Sequence, residues 1–175
     1  LLYFMARWTH FYLIRIEFLG FRYHGWQKQG ELKTVQGQLD KTFGHIFGHT
    51  EHRTLGCSRT DAKVSADYFV LELFINEFID NDELLAKLND NLPQDIRAKS
   101  VTPTDADFNI IQHSKIKEYH YAFCFGEKSH PFNAPFIINF GKHLNIELMQ
   151  EAVKLFNGTH NFKRYVSHPT ENTIF

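Results

Sequence analysis

The spacing of apolar residues between positions 11 and 101 constrains the fold of this chain more than any other feature. Alternating apolar residues predict a strand, and apolar residues three or four apart predict a helix. These patterns predict, in order, a strand at 11–18, a helix at 34–48, strands at 53–57 and 64–75, a helix at 80–92 and a strand at 95–101. Thr34 is a typical N-cap for the first helix, and the acids Asp80 and Asp82 favour the start of the second.

This order of elements predicts the fold class of the first part of the chain. Strand, helix, strand, strand, helix, strand is the ferredoxin-like plan, which RNA-recognition modules also use. A polar turn at 103–107 predicts the end of this N-terminal α/β subdomain, which occupies 5–104. The second subdomain, 105–175, is predicted to contain strands at 118–125 and 137–140 and a helix at 145–156. We therefore predict an α+β fold with antiparallel sheets, in which the second subdomain is incomplete.

A run of small residues at 55–66, L-G-C-S-R-T-D-A-K-V-S-A, carries the strongest sign of chemistry. Small side chains allow a large substrate to approach the backbone closely. Asp61 lies between the cations Arg59 and Lys63 in this run, so it is a candidate nucleophile or base. A surface loop with a salt bridge explains the same residues equally well.

Composition limits the other classes of function. A content of 43% hydrophobic residues in 175 can bury a sizeable core, and charges interrupt every apolar run before the roughly 20 residues of a membrane span. Two cysteines without CxxC spacing indicate a reducing compartment, the cytoplasm.

The net charge of −1 gives no sign of nucleic-acid binding, but residues 21–63 hold seven Lys and Arg against four Asp and Glu. That local excess fits a protein that meets phosphates on one face.

A histidine-based metal site is the weaker alternative. His45, His49 and His52, with Cys57 beyond them, have spacing compatible with metal ligands. The remaining ligands match no known pattern, so surface histidines at a helix end explain them sufficiently. We therefore expect neither a metal nor a cofactor.

The run R-T-D-A-x-V at 59–64 resembles the signature of the TruA-type tRNA pseudouridine synthases, usually G-R-T-D-A-G-V-H-A. Other segments that resemble the family lie in its order: F-R-Y-H-G-W-Q-K-Q at 21–29, T-V-Q-G-Q-L at 34–39, L-P-Q-D-I at 92–96, K-E-Y-H-Y at 117–121 and G-T-H-N-F at 158–162. The resemblance covers residues 12–162. It implies the pseudouridine synthase fold with two ferredoxin-like subdomains, and isomerisation of uridine in the tRNA anticodon stem-loop, at tRNA positions 38–40. It also implies a cytoplasmic homodimer that uses no cofactor.

The resemblance assigns roles to three residues. Asp61 matches the family's essential aspartate, and Arg59 matches the arginine that enters the stack where the base leaves. Tyr119 matches the active-site tyrosine, which could stack on the uracil and assist proton removal from C5. Strand packing would explain Tyr119 as well. The candidate RNA contacts are Arg22, Tyr23, Gln27, Lys28, Gln29, Lys63 and Lys117.

The chain departs from the family's pattern at several positions. Ser58 and Lys63 replace glycines, and Ser65 stands where histidine is usual. If the second glycine normally supplies a positive φ, Lys63 implies strain. Residues 108–111 lack the family's arginine, and the family's distal strand and helix are absent from the 175 residues. A catalytically silent RNA-binding module on the same scaffold is the alternative function.

Overall fold

The computed structural model describes residues 8–48, 50–114 and 116–166. The chain forms two compact units. Of the described residues, those up to Tyr121 and Pro131–Phe136 belong to the first unit, and Ala122–His130 and residues 137–166 belong to the second. The first unit extends beyond the boundary predicted after residue 104, because its third helix and Tyr119 both contact strands or loops of that unit.

The first unit has the predicted order of elements. Its strands and helices are β1 His10–Phe18, α1 Val35–Phe47, β2 His52–Gly56, β3 Ala66–Ile75, α2 Asn81–Asn91, β4 Ile96–Thr104 and α3 Ile110–His113. The four strands form an antiparallel sheet in the order β2–β3–β1–β4. The antiparallel α/β arrangement predicted from the apolar spacing is therefore confirmed for this unit.

One face of the sheet holds the hydrophobic core. Since side chains alternate along a strand, Ile14 and Ile16 of β1 and Leu71 and Leu73 of β3 point to the same face, and all are fully buried. Helices α1 and α2 cover that face with fully buried leucines and a phenylalanine, namely Leu39, Phe43, Leu84 and Leu88. Burying such side chains contributes about 1.5–3 kcal/mol each, so this core dominates the stability of the unit.

The two larger helices begin where the sequence predicts. The Thr34 hydroxyl accepts a hydrogen bond from Gly37 N–H (3.2 Å), and the Asp80 carboxylate accepts from the backbone of Asp82 (2.9 Å). Strand β3 begins at Ala66, two residues later than predicted. The reason is that Val64 N–H bonds back to the Asp61 carbonyl (3.3 Å), which keeps that residue in the preceding loop.

Glu72 is a buried acid on the opposite face of β3. One carboxylate oxygen accepts from Ile110 N–H at the start of α3 (3.1 Å), and the other has no hydrogen-bond partner among the described residues. Burial raises the pKa of Glu72, although the Ile110 bond and the charges of Arg53 and His113 lower it. The only sign of this residue in the sequence is a single acid within the apolar run 69–75, which by itself does not predict a buried carboxylate.

The second unit differs from its prediction. Strands β5 Phe123–Cys124 and β6 Ile138–Asn139 form a two-stranded parallel pair, where the sequence predicted antiparallel pairing. The connection between them is long enough for a parallel crossover, which takes about a dozen residues. The strand predicted at 118–125 is shorter, because only its last residues pair with another strand. Helix α4 Ile146–Lys154 lies within the predicted helix and has no buried residue. Within the described ranges, no helix combines the length and apolar character needed to cross a membrane.

Candidate active site

Residues 57–65, which we call the Asp61 loop, connect β2 to β3. The loop is anchored by its backbone to a second connection, residues 19–34, which we call the aromatic loop. Hydrogen bonds between the two loops run from Trp26 N–H to the Thr60 carbonyl (3.1 Å), from Lys63 N–H to the Tyr23 carbonyl (3.0 Å) and from Gly20 N–H to the Ser65 hydroxyl (2.9 Å). These bonds fix the path of the Asp61 loop without using any charged side chain.

The contact between the loops is so close that glycine is required in the aromatic loop. A Cβ added at Gly20 would lie 1.8 Å from the Val64 carbonyl oxygen, and one at Gly25 would lie 2.4 Å from the Thr60 carbonyl oxygen. Gly25 also has a φ of 91°, which favours glycine. The Asp61 loop is therefore held against the backbone of the aromatic loop. Backbone atoms cannot move aside as the end of a flexible side chain can.

Trp26 connects the aromatic loop to the rest of the unit. Its buried ring lies against Phe69 of β3, with 4.3 Å between ring centroids, and against Gly56, where an added Cβ would lie 2.5 Å from the ring. Its carbonyl accepts from Gln36 N–H (2.9 Å) at the start of α1. In the sequence Trp26 is one residue of the segment 21–29 with no role of its own, whereas in the structure its contacts position the aromatic loop.

Gln36 adds a side-chain connection in the same region. Its amide nitrogen donates to the Thr54 carbonyl (3.2 Å) and hydroxyl (3.1 Å) of β2, and its amide oxygen accepts from Lys28 N–H (3.1 Å). The aromatic loop is thus tied to the strand that leads into the Asp61 loop. In the sequence, Gln36 belongs to the segment T-V-Q-G-Q-L at 34–39. That segment does not by itself predict the contact between Gln36 and β2.

The charged side chains of the Asp61 loop are exposed, in contrast to its fixed backbone. Asp61, Arg59 and Lys63 all lie on the surface. Within the described ranges, the Asp61 carboxylate forms neither a hydrogen bond nor an ion pair, and it is not paired with either neighbouring cation. A salt bridge at Asp61 therefore does not explain this loop. The Asp61 carboxylate is exposed on a loop whose backbone is held by hydrogen bonds.

Lys63, which stands where the signature that this loop resembles has glycine, has a left-handed backbone conformation. Its φ of 68° is the only positive φ of a non-glycine residue within the described ranges. An L-residue in this left-handed region costs roughly 1–2 kcal/mol relative to the right-handed one. The strain is offset by the hydrogen bonds between the two loops, and the Lys63 side chain is exposed.

Tyr119 reaches the Asp61 loop although it is distant in sequence. Its ring is 70% exposed, and its hydroxyl lies 3.2 Å from the Ser58 hydroxyl. Tyr119 lies outside the strands, so strand packing does not explain it. Lys117 is exposed in the same segment. The structure therefore brings Tyr119 to the loop that carries Asp61 and Arg59.

The candidate RNA contacts of the aromatic loop divide into two groups. Arg22, Gln27, Lys28 and Gln29 are exposed, and Lys28 lies 4.0 Å from the Asp40 carboxylate. Tyr23 is a correction, because it belongs to the core: only 2% of it is exposed, and its hydroxyl donates to Asp95 (2.7 Å). Burial and then Asp95 raise the pKa of Tyr23. Its ring is therefore not available to stack on a base.

The histidines near the end of α1 form no cluster that the structure shows. Within the described ranges, no group of three or more His, Cys, Asp or Glu side chains could hold a metal ion. His52 lies 4.0 Å from the Asp40 carboxylate and against the Phe43 ring, and His49 lies outside the described residues.

Several curated proteins are similar to this chain over most of its length, although no family model matches it. Among curated proteins, tRNA pseudouridine synthase A of Aquifex aeolicus is 33% identical over 164 residues, which are 93% of this chain and 68% of that protein. tRNA pseudouridine synthase A of Clostridium botulinum is 36% identical over 87% of this chain and 62% of its own length. tRNA pseudouridine synthase A 1 of Protochlamydia amoebophila is 31% identical over 94% of this chain and 64% of its own length. The chain thus spans 62–68% of the length of these three relatives.

Proposed function

The chain belongs to the tRNA pseudouridine synthase A family, and on this basis we propose that it isomerises uridine to pseudouridine in tRNA. The observation that carries the proposal is the Asp61 carboxylate, exposed and unpaired among the described residues, on a loop whose backbone is fixed by its neighbours. An anion held in this way is suited to react with an extruded nucleotide. A loop that needed Asp61 only for structure would use its carboxylate in a contact.

The reaction is balanced without a redox partner. The bond between C1′ and N1 of uridine breaks, the base turns, a bond forms between C1′ and C5, and the proton on C5 is lost while N1 gains one. Asp61 supplies the anionic oxygen that acts as nucleophile or base. Tyr119, whose hydroxyl reaches the Asp61 loop, stacks on the uracil and assists removal of the C5 proton. No step needs a metal or a cofactor.

Arg59 is proposed to fill the stack from which the base leaves. Its guanidinium is exposed and has no acidic partner among the described residues, so it is free to stack and to pair with phosphate. Extruding a base costs a few kcal/mol, which a planar cation can offset.

Arg59→Lys is expected to lower turnover by about tenfold or more while tRNA affinity changes little, because the charge remains but the stacking plane is lost. Single-turnover rates and filter-binding affinities would measure the two effects. The matched control is Arg97→Lys, since Arg97 is exposed on β4 and has no assigned role. Equal turnover in the Arg59 and Arg97 variants would show that only the charge of Arg59 counts.

Lys63 is proposed to contact an RNA phosphate beside Asp61. Lys63→Gly should remove that contact and relieve the backbone strain at φ 68°. Stability should rise by at most about 1 kcal/mol, since glycine's own entropy cost offsets part of the relief. Affinity for tRNA should fall, and the slope of log affinity against log salt should shrink by about one.

The control for Lys63 is Lys41→Gln, because Lys41 is an exposed lysine on α1 and its loss changes the net charge equally. Its salt slope should match that of the unaltered protein. An unchanged salt slope in Lys63→Gly would remove Lys63 from the RNA contacts.

The proposal also covers the fold of the second subdomain, the location and oligomeric state of the enzyme, and its contacts with tRNA. The βαββαβ order of the first unit supports the ferredoxin-like plan, and we propose the same plan for the second subdomain. We place the enzyme in the cytoplasm as a homodimer and its target uridines in the anticodon stem-loop. Arg22, Gln27, Lys28, Gln29 and Lys117, all exposed, are its further RNA contacts.

Mapping of the product tests this function. The full-length protein would be incubated with an unmodified tRNA transcript, and pseudouridines would be located by primer extension after pseudouridine-specific chemical labelling. We expect labelled positions confined to the anticodon stem-loop. A transcript that is bound but carries no pseudouridine would favour the silent RNA-binding module, for which an unpaired acid beside phosphates is a disadvantage.

A further inference from the structure

Residues 116–121 carry Tyr119 but pack weakly on the first unit. Every residue of this segment is exposed, including Ile116 at 89% and Tyr121 at 68%. Among the described residues, the only other side-chain hydrogen bond or ion pair of this segment joins His120 to Glu118 (2.7 Å), and it does not connect the segment to the Asp61 loop. Packing alone therefore does little to fix the direction of the Tyr119 ring.

The hydroxyl pair of Ser58 and Tyr119 makes the connection that packing does not. The two oxygens are 3.2 Å apart, and Ser58 lies on the Asp61 loop, whose backbone is fixed by the aromatic loop. Ser58 stands where the family's usual signature has glycine, which has no hydroxyl to offer. This connection is therefore a feature of the present chain and not of the motif it resembles.

We propose that Ser58 is a positioning residue, whose hydroxyl holds Tyr119 in place over the nucleotide that reacts with Asp61. The inference rests on the proposed function for its catalytic part and on the 3.2 Å contact for its structural part. Ser58 itself touches no reacting atom. It acts by limiting the rotation of a ring that is otherwise held only by an exposed segment.

A double-mutant cycle tests the catalytic part, with kcat and KM measured separately. Ser58→Ala should lower kcat by about threefold to tenfold, the fold-change that corresponds to one hydrogen bond. KM for tRNA should change little, because Ser58 makes no phosphate contact. Ser58→Thr should restore kcat, since it keeps the hydroxyl. The double variant Ser58→Ala with Tyr119→Phe should be no slower than Tyr119→Phe alone.

The control for Tyr119→Phe is Tyr121→Phe, a hydroxyl of similar exposure two residues further along. In the Tyr121→Phe background, Ser58→Ala should keep its full effect on kcat. Independent, multiplicative losses from Ser58→Ala and Tyr119→Phe would overturn the inference. So would a kcat for Ser58→Ala equal to that of the unaltered protein.

A spectroscopic readout separates this inference from the proposed function. With 3-fluorotyrosine placed at position 119 of the full-length protein, Ser58→Ala should shift the fluorine NMR signal, and Ser58→Thr should return it towards its original position. The same label at position 121 should not respond. An unmoved signal at position 119 would overturn the inference whatever the activity. A moved signal in a protein that makes no pseudouridine would refute the proposed function and leave the contact established.

Discussion

Asp61→Asn is expected to reduce pseudouridine formation to background while the protein stays folded and continues to bind tRNA. The amide keeps the size of the carboxylate but removes the negative charge on which nucleophilic or basic action depends. Folding should survive, because the carboxylate is exposed and has no partner among the described residues to lose. Such surface substitutions usually change stability by less than about 0.5 kcal/mol.

Binding provides the second readout for Asp61→Asn. Since one repulsion between the loop and the phosphates is removed, tRNA affinity should persist or increase. The matched control is Asp67→Asn, which removes an exposed carboxylate from the start of β3, six positions along the chain. The control should form pseudouridine at the rate of the unaltered protein. Equal activity in the two variants would show that the Asp61 charge takes no part in the reaction.

Gly20→Ala should destabilise the first unit and displace the Asp61 loop. The added Cβ would lie 1.8 Å from the Val64 carbonyl oxygen, so backbone on one side of the contact must move. Overpacking of this kind costs about 1–3 kcal/mol. Because a displacement of about 1 Å in a catalytic group can cost a hundredfold in rate, turnover should fall more than stability alone explains.

Gly44→Ala is the matched control, because nothing lies within 4 Å of a Cβ added at that position in α1. Alanine is favoured over glycine in a helix by about 1 kcal/mol, so this variant should be more stable and fully active. Denaturant unfolding and turnover would be measured on both variants. A Gly20→Ala protein as stable and as active as Gly44→Ala would show that the close contact between the loops does not position Asp61.

The parts of the fold that follow from local patterns could be predicted from the sequence. Strands β1 to β4 and helices α1 and α2 each bury one face in a shared core, so their periodicity carries the information. The helix starts at Thr34 and Asp80 were likewise visible, because a cap acts within three residues of itself. The parallel pairing of β5 with β6 could not be predicted, since two-residue strands have almost no periodic pattern.

The features of the site that were missed depend on contacts between distant residues. Glu72 is covered by α3, and Tyr23 packs in the hydrophobic core, where its hydroxyl donates to Asp95, 72 positions away. An aromatic residue in a loop gives no sign by itself that it points inward. The Ser58 hydroxyl meets Tyr119 across 61 positions, which no local pattern predicts. The motif named Asp61 and Arg59, but the backbone contacts that hold them came only from the structure.

Release of tritium from tRNA labelled at C5 of its uridines tests the central claim most directly, because the C5 hydrogen leaves only if the new bond forms at that carbon. The full-length protein would be assayed with and without chelator, and with no cofactor added. We expect one tritium released for each pseudouridine formed, at the same rate with and without chelator. If the protein bound the labelled tRNA but the tRNA kept all of its tritium, the account would be contradicted.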